Sequence, residues 1–195
     1  MKKYIKTIIV VAIMASLVVG YFIYLSNVTP KADATQKQAE TMNEELSYLL
    51  NIDLNKNYPE SVREVVKLYA RITKAYYAYD LTEEQIENLG KQARIIFDDE
   101  LKATQTESGF LEELKKDIAN YRAANIKIND YKIQSAINTN YNTFKAREYS
   151  SIVLCYYIRE NSSLHNSYTK FTLRKDDQGK WRILFWELTD EQVIQ

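Results

Sequence analysis

With 195 residues, 46% hydrophobic and 27% charged, the chain has the length for one globular domain plus an appendage and is too apolar for wholesale disorder. Its formal net charge of zero is unevenly spread: Lys2, Lys3, Lys6 and Lys31 lie in the first 31 residues, which hold no acid, so the rest of the chain has four more acids than bases. A mildly acidic domain without a basic patch is a poor nucleic-acid binder, since that affinity comes from neutralised phosphates. The single cysteine, Cys155, excludes an internal disulfide and any zinc site needing two thiolates, and its setting reads as a small buried hydrophobe on a strand.

Thr7 to Leu25 holds nineteen residues without a charge. As a helix this run spans about 28 Å, close to the roughly 30 Å of a bilayer's hydrocarbon core. Three lysines precede it and Tyr4, Tyr21, Phe22 and Tyr24 flank it at interfacial depth. The charge bias predicts a single-pass signal-anchor in the cell membrane, with residues 1–6 cytoplasmic and the rest extracytoplasmic. A cleaved signal fits less well, because Ala32-Asp33-Ala34 lies too far beyond the apolar run. No cysteine follows the run, which excludes a lipoprotein.

Residues 26–57 read as a juxtamembrane linker and an amphipathic helix from about Ala34 to Leu50, with Ala39, Met42, Leu46 and Leu49 on one face. Pro59 suits the first turn of the next helix, expected to run to about Tyr79 along Val62, Val65, Leu68, Tyr69, Ile72 and Tyr76. Thr82 with Gln85 forms a capping box for a second helix, lined by Ile86, Leu89, Ala93, Ile96, Phe97 and Leu101 and reaching about Ala103. Ser108 is expected to cap a third, reaching about Ala124.

After Asn125 the period becomes alternating and β-branched and aromatic residues are dense. Tyr131, Ile133, Ser135 and Ile137 suggest a first strand. In a longer strand, Arg147 to Arg159, Ile152, Leu154, Tyr156 and Ile158 share one face, and Tyr149, Ser151, Val153, Cys155 and Tyr157 the other. Asn161 to His165 reads as a connection. Tyr168 to Lys175 and Lys180 to Glu187 form a hairpin closed by Asp176-Asp177-Gln178-Gly179. Helices first and antiparallel strands last predict an α+β fold: about three helices packed on a curved sheet of about four strands over residues 58–188, followed by a tail at 189–195.

That order, ending in the strand Gly179-Lys180-Trp181-Arg182-Ile183-Leu184-Phe185-Trp186-Glu187-Leu188, resembles the NTF2-like or cystatin-like superfamily of cone-shaped domains. The layout of short tail, single span and exported domain is similar to that of membrane-anchored members in Gram-positive bacteria of clostridial type. The resemblance implies a concave sheet able to form a pocket. Some relatives are scaffolds in conjugation machines, others isomerases or dehydratases, so fold does not choose between them.

No catalytic constellation is evident. His165 is the only histidine and has no identifiable nucleophile or orienting acid at a telling spacing. Asp98-Asp99-Glu100 point in different directions on a helix and read as a solvated face rather than a metal site. Four glycines leave no phosphate loop, and Asn161-Ser162-Ser163 is a glycosylation sequon only by pattern. No cofactor is expected.

Tyrosine, at 16 residues, is the unusual supply. Tyr76, Tyr149, Tyr156, Tyr157, Trp181 and Trp186 are the candidate pocket or interface residues, since such rings pair an apolar body with a hydrogen-bonding tip. The leading expectation is an anchored, non-enzymatic interaction or scaffold module with lipid contact through residues 7–25, a protein partner and no nucleic acid. The alternative is a small-molecule-binding or isomerase-like domain with an aromatic-lined pocket, which needs a roomy cavity and a buried acid of raised pKa.

Overall fold

The computed structural model describes residues 31–192, with side chains from residue 39 onward. The expected span at residues 7–25 and the tail before it lie outside the described residues; among those described, no helix is long and apolar enough to cross a membrane. The chain divides into two units between Glu44 and Glu45, and the described residues from Glu45 onward belong to the second, compact unit. Helix α1 (Lys31–Asn51) contributes its last turns to the second unit, where Leu49 is fully buried and Arg71 grips Glu45 at 2.6 and 2.8 Å.

Among the described residues the second unit is α+β, with helices packed on one face of an open, curved antiparallel sheet of five strands rather than four. Helix α2 (Val62–Ala78) begins three residues after Pro59, because Ser61 and Glu64 close a capping box there. Its stripe of Val62, Val65, Leu68, Ile72 and Tyr76 lies in the core.

Helix α3 (Glu83–Ile95) starts at the expected Thr82–Gln85 box but stops eight residues short of Ala103. Ile96 to Asp98 leave the helix to bond the sheet edge: Ile183 donates its N–H to the Ile96 carbonyl at 2.9 Å, and Asp98 donates to Ile183 at 2.8 Å. Asp98 then caps a short helix α4 (Asp99–Ala103), and Thr106, not Ser108, caps helix α5 (Glu107–Ala123).

Strand β1 (Ile126–Ile133) lies earlier than expected; Ser135 precedes and Ile137 lies in a 3₁₀ turn (Ala136–Asn138) rather than a strand, Ile137 being 87% exposed. Strand β2 (Asn140–Phe144) was not foreseen. Strand β3 (Arg147–Glu160) is central, pairing with β1 and β2 along one side and with β4 (Ser163–Lys175) along the other. The connection is a tight Asn161-Ser162 turn with Asn161 at φ 53°, so His165 sits within β4, exposed opposite Ile158. Strand β5 (Trp181–Leu188) follows the expected turn, with Gly179 at φ 79°.

The two faces of β3 separate as its alternation requires. Ile152, Leu154 and Tyr156 join the core under the helices, whereas Val153 and Cys155 are buried outside it. Burial pushes the Cys155 thiol pKa up, so the lone cysteine is a packed hydrophobe.

Candidate functional site

Alternation in β4, together with a bulge in β5 that leaves Leu184 unpaired between Ile183 and Phe185, sends Phe171, Ile183 and Trp186 to the helix-facing side, where α2 presents Tyr69. The Tyr69 ring meets Trp186, Phe171 and Phe97 at centroid distances of 5.4, 5.6 and 5.7 Å. Phe97 reaches this point because its segment leaves α3 to pair with β5. Phe110 of α5 then meets Phe97 edge-on at 5.9 Å. Ring contacts of this kind contribute about 0.5–1.5 kcal/mol each beyond their buried area. The space between the helices and the sheet is therefore filled by side chains at this level.

Outside the cluster lies a recess of about 360 Å³. Phe97, Phe110, Trp186, Tyr77, Leu101 and Leu114 form its apolar wall, and Arg94, Glu113 and Asp117 its charged rim. Trp186 is 39% exposed, so the recess is open to solvent. Arg94 stacks 5.4 Å from the Phe110 centroid and caps the Lys102 and Gln105 carbonyls. Tyr77 donates its hydroxyl to Asp117; burial and this acid push the Tyr77 pKa far up, so it stays a donor. Glu113 and Asp117 give the mouth an acidic side.

Behind the rings, the hydroxyls of Thr73, Tyr76 and Tyr156 are buried; Thr73 lies against Tyr69 and Tyr156, and the Tyr76 hydroxyl has no hydrogen-bond partner among the described residues. Burial raises both tyrosine pKa values well above the ordinary range. An unpaired buried hydroxyl costs about 1–3 kcal/mol.

On the other side of Ile183, Arg174 is 91% buried and bonds Asp98 Oδ2 through Nε at 3.0 Å and Glu100 Oε1 through Nη1 at 2.6 Å. The expectation of a solvated acidic helix face therefore holds for Asp99 and Glu100, whose side chains are 98% and 67% exposed, and fails for Asp98. Asp98, the one buried acid among the described residues, is an ion-pair partner. The neighbouring cleft of about 280 Å³ is rich in charge, but Arg182 already serves Asp176 at 2.8 Å and Lys175 serves Glu148 at 3.0 Å. No cluster of metal-ligating groups occurs among the described residues.

Of the residues expected from sequence, Trp186 alone lines the recess. Tyr76 and Tyr156 lie in the core behind it. Trp181 is buried near the opposite end of β5, where its carbonyl accepts the Tyr58 hydroxyl at 2.7 Å. Tyr149 and Tyr157 point to the face away from the helices, Tyr149 beside Arg174. The structure thus splits the six between two faces, because neighbours on a strand alternate. The recess residues missed from sequence, Phe97, Phe110 and Leu114, read only as helix stripes. No sequence signal marked Phe97, whose apolar spacing stays helical past the point where the helix ends at Ile95.

The fold and recess define a class: a small α+β domain with helices on one face of an open antiparallel sheet and an aromatic recess at its open side. A family model described as a domain of unknown function (DUF6715) matches residues 1–186, and the chain belongs to that family. No curated protein matches it.

Proposed function

We propose that the chain is a membrane-anchored, extracytoplasmic interaction module of NTF2-like type, anchored through residues 7–25, that seats an apolar side chain of a protein partner in the recess beside Trp186. The observation that carries this reading is the recess: an exposed aromatic wall with an acidic lip, backed by a ring cluster that fills the space between helices and sheet. A partly exposed tryptophan set among other rings has the character of an interface anchor point, where aromatic contacts dominate binding. The acids Glu113 and Asp117 favour a basic residue next to the partner's apolar anchor.

The experiment is site-specific photocrosslinking of the full chain in intact cells from Gln105, at the recess edge, with Asn166 of β4 as a remote control. A discrete adduct from Gln105, absent from Asn166 and lost on Trp186→Ala, is expected. Equal labelling from both positions, or an adduct indifferent to Trp186, overturns the recess reading. Protease added to intact cells, with the wall removed, is expected to reach the C-terminal unit; protection of that unit overturns the topology.

The buried hydroxyls of Tyr76, which has no partner among the described residues, and of Thr73 and Tyr156, which have only neighbouring hydroxyls, favour a second reading, a small amphipathic ligand with its polar end among them. Isomerase-like chemistry on this reading lacks a free buried acid among the described residues, since Asp98 is held by Arg174. A ligand-dependent rise in unfolding temperature abolished by Tyr156→Phe would favour this reading over the protein partner.

A further inference from the structure

Sheet edges offer unpaired N–H and C=O groups to any passing strand, and proteins usually blunt them with charge, bulges or cover. Two edges here follow that practice. β1 carries Lys127, Asp130 and Lys132 with a bulge between Ile128 and Asp130. β5 is covered at Ile183 by the Ile96–Asp98 segment, and Glu187 charges its far end.

β2 has none of these protections. It pairs with β3 on one side, and its five residues, Asn-Tyr-Asn-Thr-Phe, are all exposed. No charge, proline or glycine occurs between Lys132 and Lys145. Tyr141 and Phe144 are each 61% exposed, and Ile137 just before them 87%.

We propose that β2 is a docking edge for the β2 strand of a second copy of this chain, paired antiparallel about a two-fold axis through Asn142. The hairpin fixes which groups are free. Phe144 and Arg147 flank a two-residue turn, the position at which facing residues exchange both hydrogen bonds. Alternation then points the Thr143 and Tyr141 amides and carbonyls away from β3.

A two-fold axis at Asn142 sets Tyr141 opposite Thr143 of the other copy on both sides, so the free donors meet the free acceptors in register. A symmetric contact also places the axis residue opposite its own kind, so a charge at Asn142 would oppose its like. The uncharged β2 avoids that, and Asn142, both donor and acceptor, is complementary to itself. Self-pairing is the occupant that an uncharged, symmetric-register edge fits best.

The test uses the full-length chain in mild detergent. Facing residues at a non-hydrogen-bonded antiparallel pair sit within disulfide reach, and the native Cys155 is buried. Mild oxidation of Asn142→Cys is therefore expected to give a covalent product of twice the 22.9 kDa chain mass, while the wild type and Asn166→Cys stay monomeric. Adding Tyr141→Lys and Thr143→Lys, which set lysine opposite lysine, is expected to abolish that product. Hydrogen exchange on the wild type gives a readout free of substitutions: the Tyr141 and Thr143 amides are expected to slow as concentration rises.

Crosslinking of Asn142→Cys no greater than that of Asn166→Cys overturns the proposal. So does a product that survives the two lysines in a chain with unchanged circular dichroism, or an adduct of any mass other than twice the chain. Concentration-independent exchange at Tyr141 and Thr143 overturns it as well.

Discussion

Arg174 shows how a residue acquires its meaning from its neighbours. In sequence it is one of several cations on a strand next to a turn; in the fold it is enclosed, with Asp98 and Glu100 arranged around its guanidinium. Removing one member of a buried pair leaves an uncompensated charge, which costs about 3–5 kcal/mol. Arg174→Met is therefore expected to lower the urea-unfolding free energy by about that amount. Asp98→Asn keeps the cap on α4 and discharges the site, so Asp98→Asn with Arg174→Met is expected to lose less than Arg174→Met alone. A single-variant loss below about 1 kcal/mol would put the pair in the class of surface bridges. The acids of the Asp98-Asp99-Glu100 run were legible, but their division into buried and solvated was not, because it depends on a strand 74 and more residues away.

At the scale of elements, the β2–β3 hairpin carries a conformational cost that its sequence conceals. Lys145 and Ala146 sit at φ 48° and 61°, the left-handed region in which an L side chain costs about 1–2 kcal/mol. Both central residues of such a turn need positive φ, which is why glycine and asparagine usually occupy it. Ala146→Gly is expected to raise stability by roughly 0.5–1 kcal/mol, read as a higher urea midpoint with an unchanged slope. No gain, or a loss, would mean that the turn relaxes in solution. The same absence of turn residues hid β2 from the sequence, as did its lack of a buried face. The second helix read through to Ala103 for the opposite reason: its apolar spacing is helical across Ile96 and Phe97, yet pairing with Ile183 outweighs continuing the helix.

Across the whole molecule, tyrosine burial couples the fold to alkaline pH. The Tyr58 pKa is pushed up to about 12, chiefly by burial, with Arg182 opposing and Asp176 assisting the rise. Burial likewise raises Tyr69, Tyr76, Tyr77 and Tyr156. These groups hold their protons more tightly folded than unfolded, so their contribution is fully present below the ordinary value of 10.0 and is lost as pH rises through the folded values. Above pH 10 the buried set is expected to ionise only together with a cooperative loss of near-ultraviolet circular dichroism. Tyrosinate absorbance that rises smoothly while the tertiary signal persists would contradict this.

By itself the sequence determined the class of the fold, helices before antiparallel strands, and such local features as the Thr82–Gln85 box, the two faces of β3 and the Asp176–Gly179 turn. Each of these rests on interactions within a few residues or on a simple period, which the chain carries wherever it folds. Only the tertiary structure decided where Phe97 leaves its helix, which of the six candidate aromatic residues reach the recess, and that an uncharged strand is left at an open edge. Those outcomes depend on contacts between residues far apart in the chain, whose competition with local preference is settled when the helices close on the sheet.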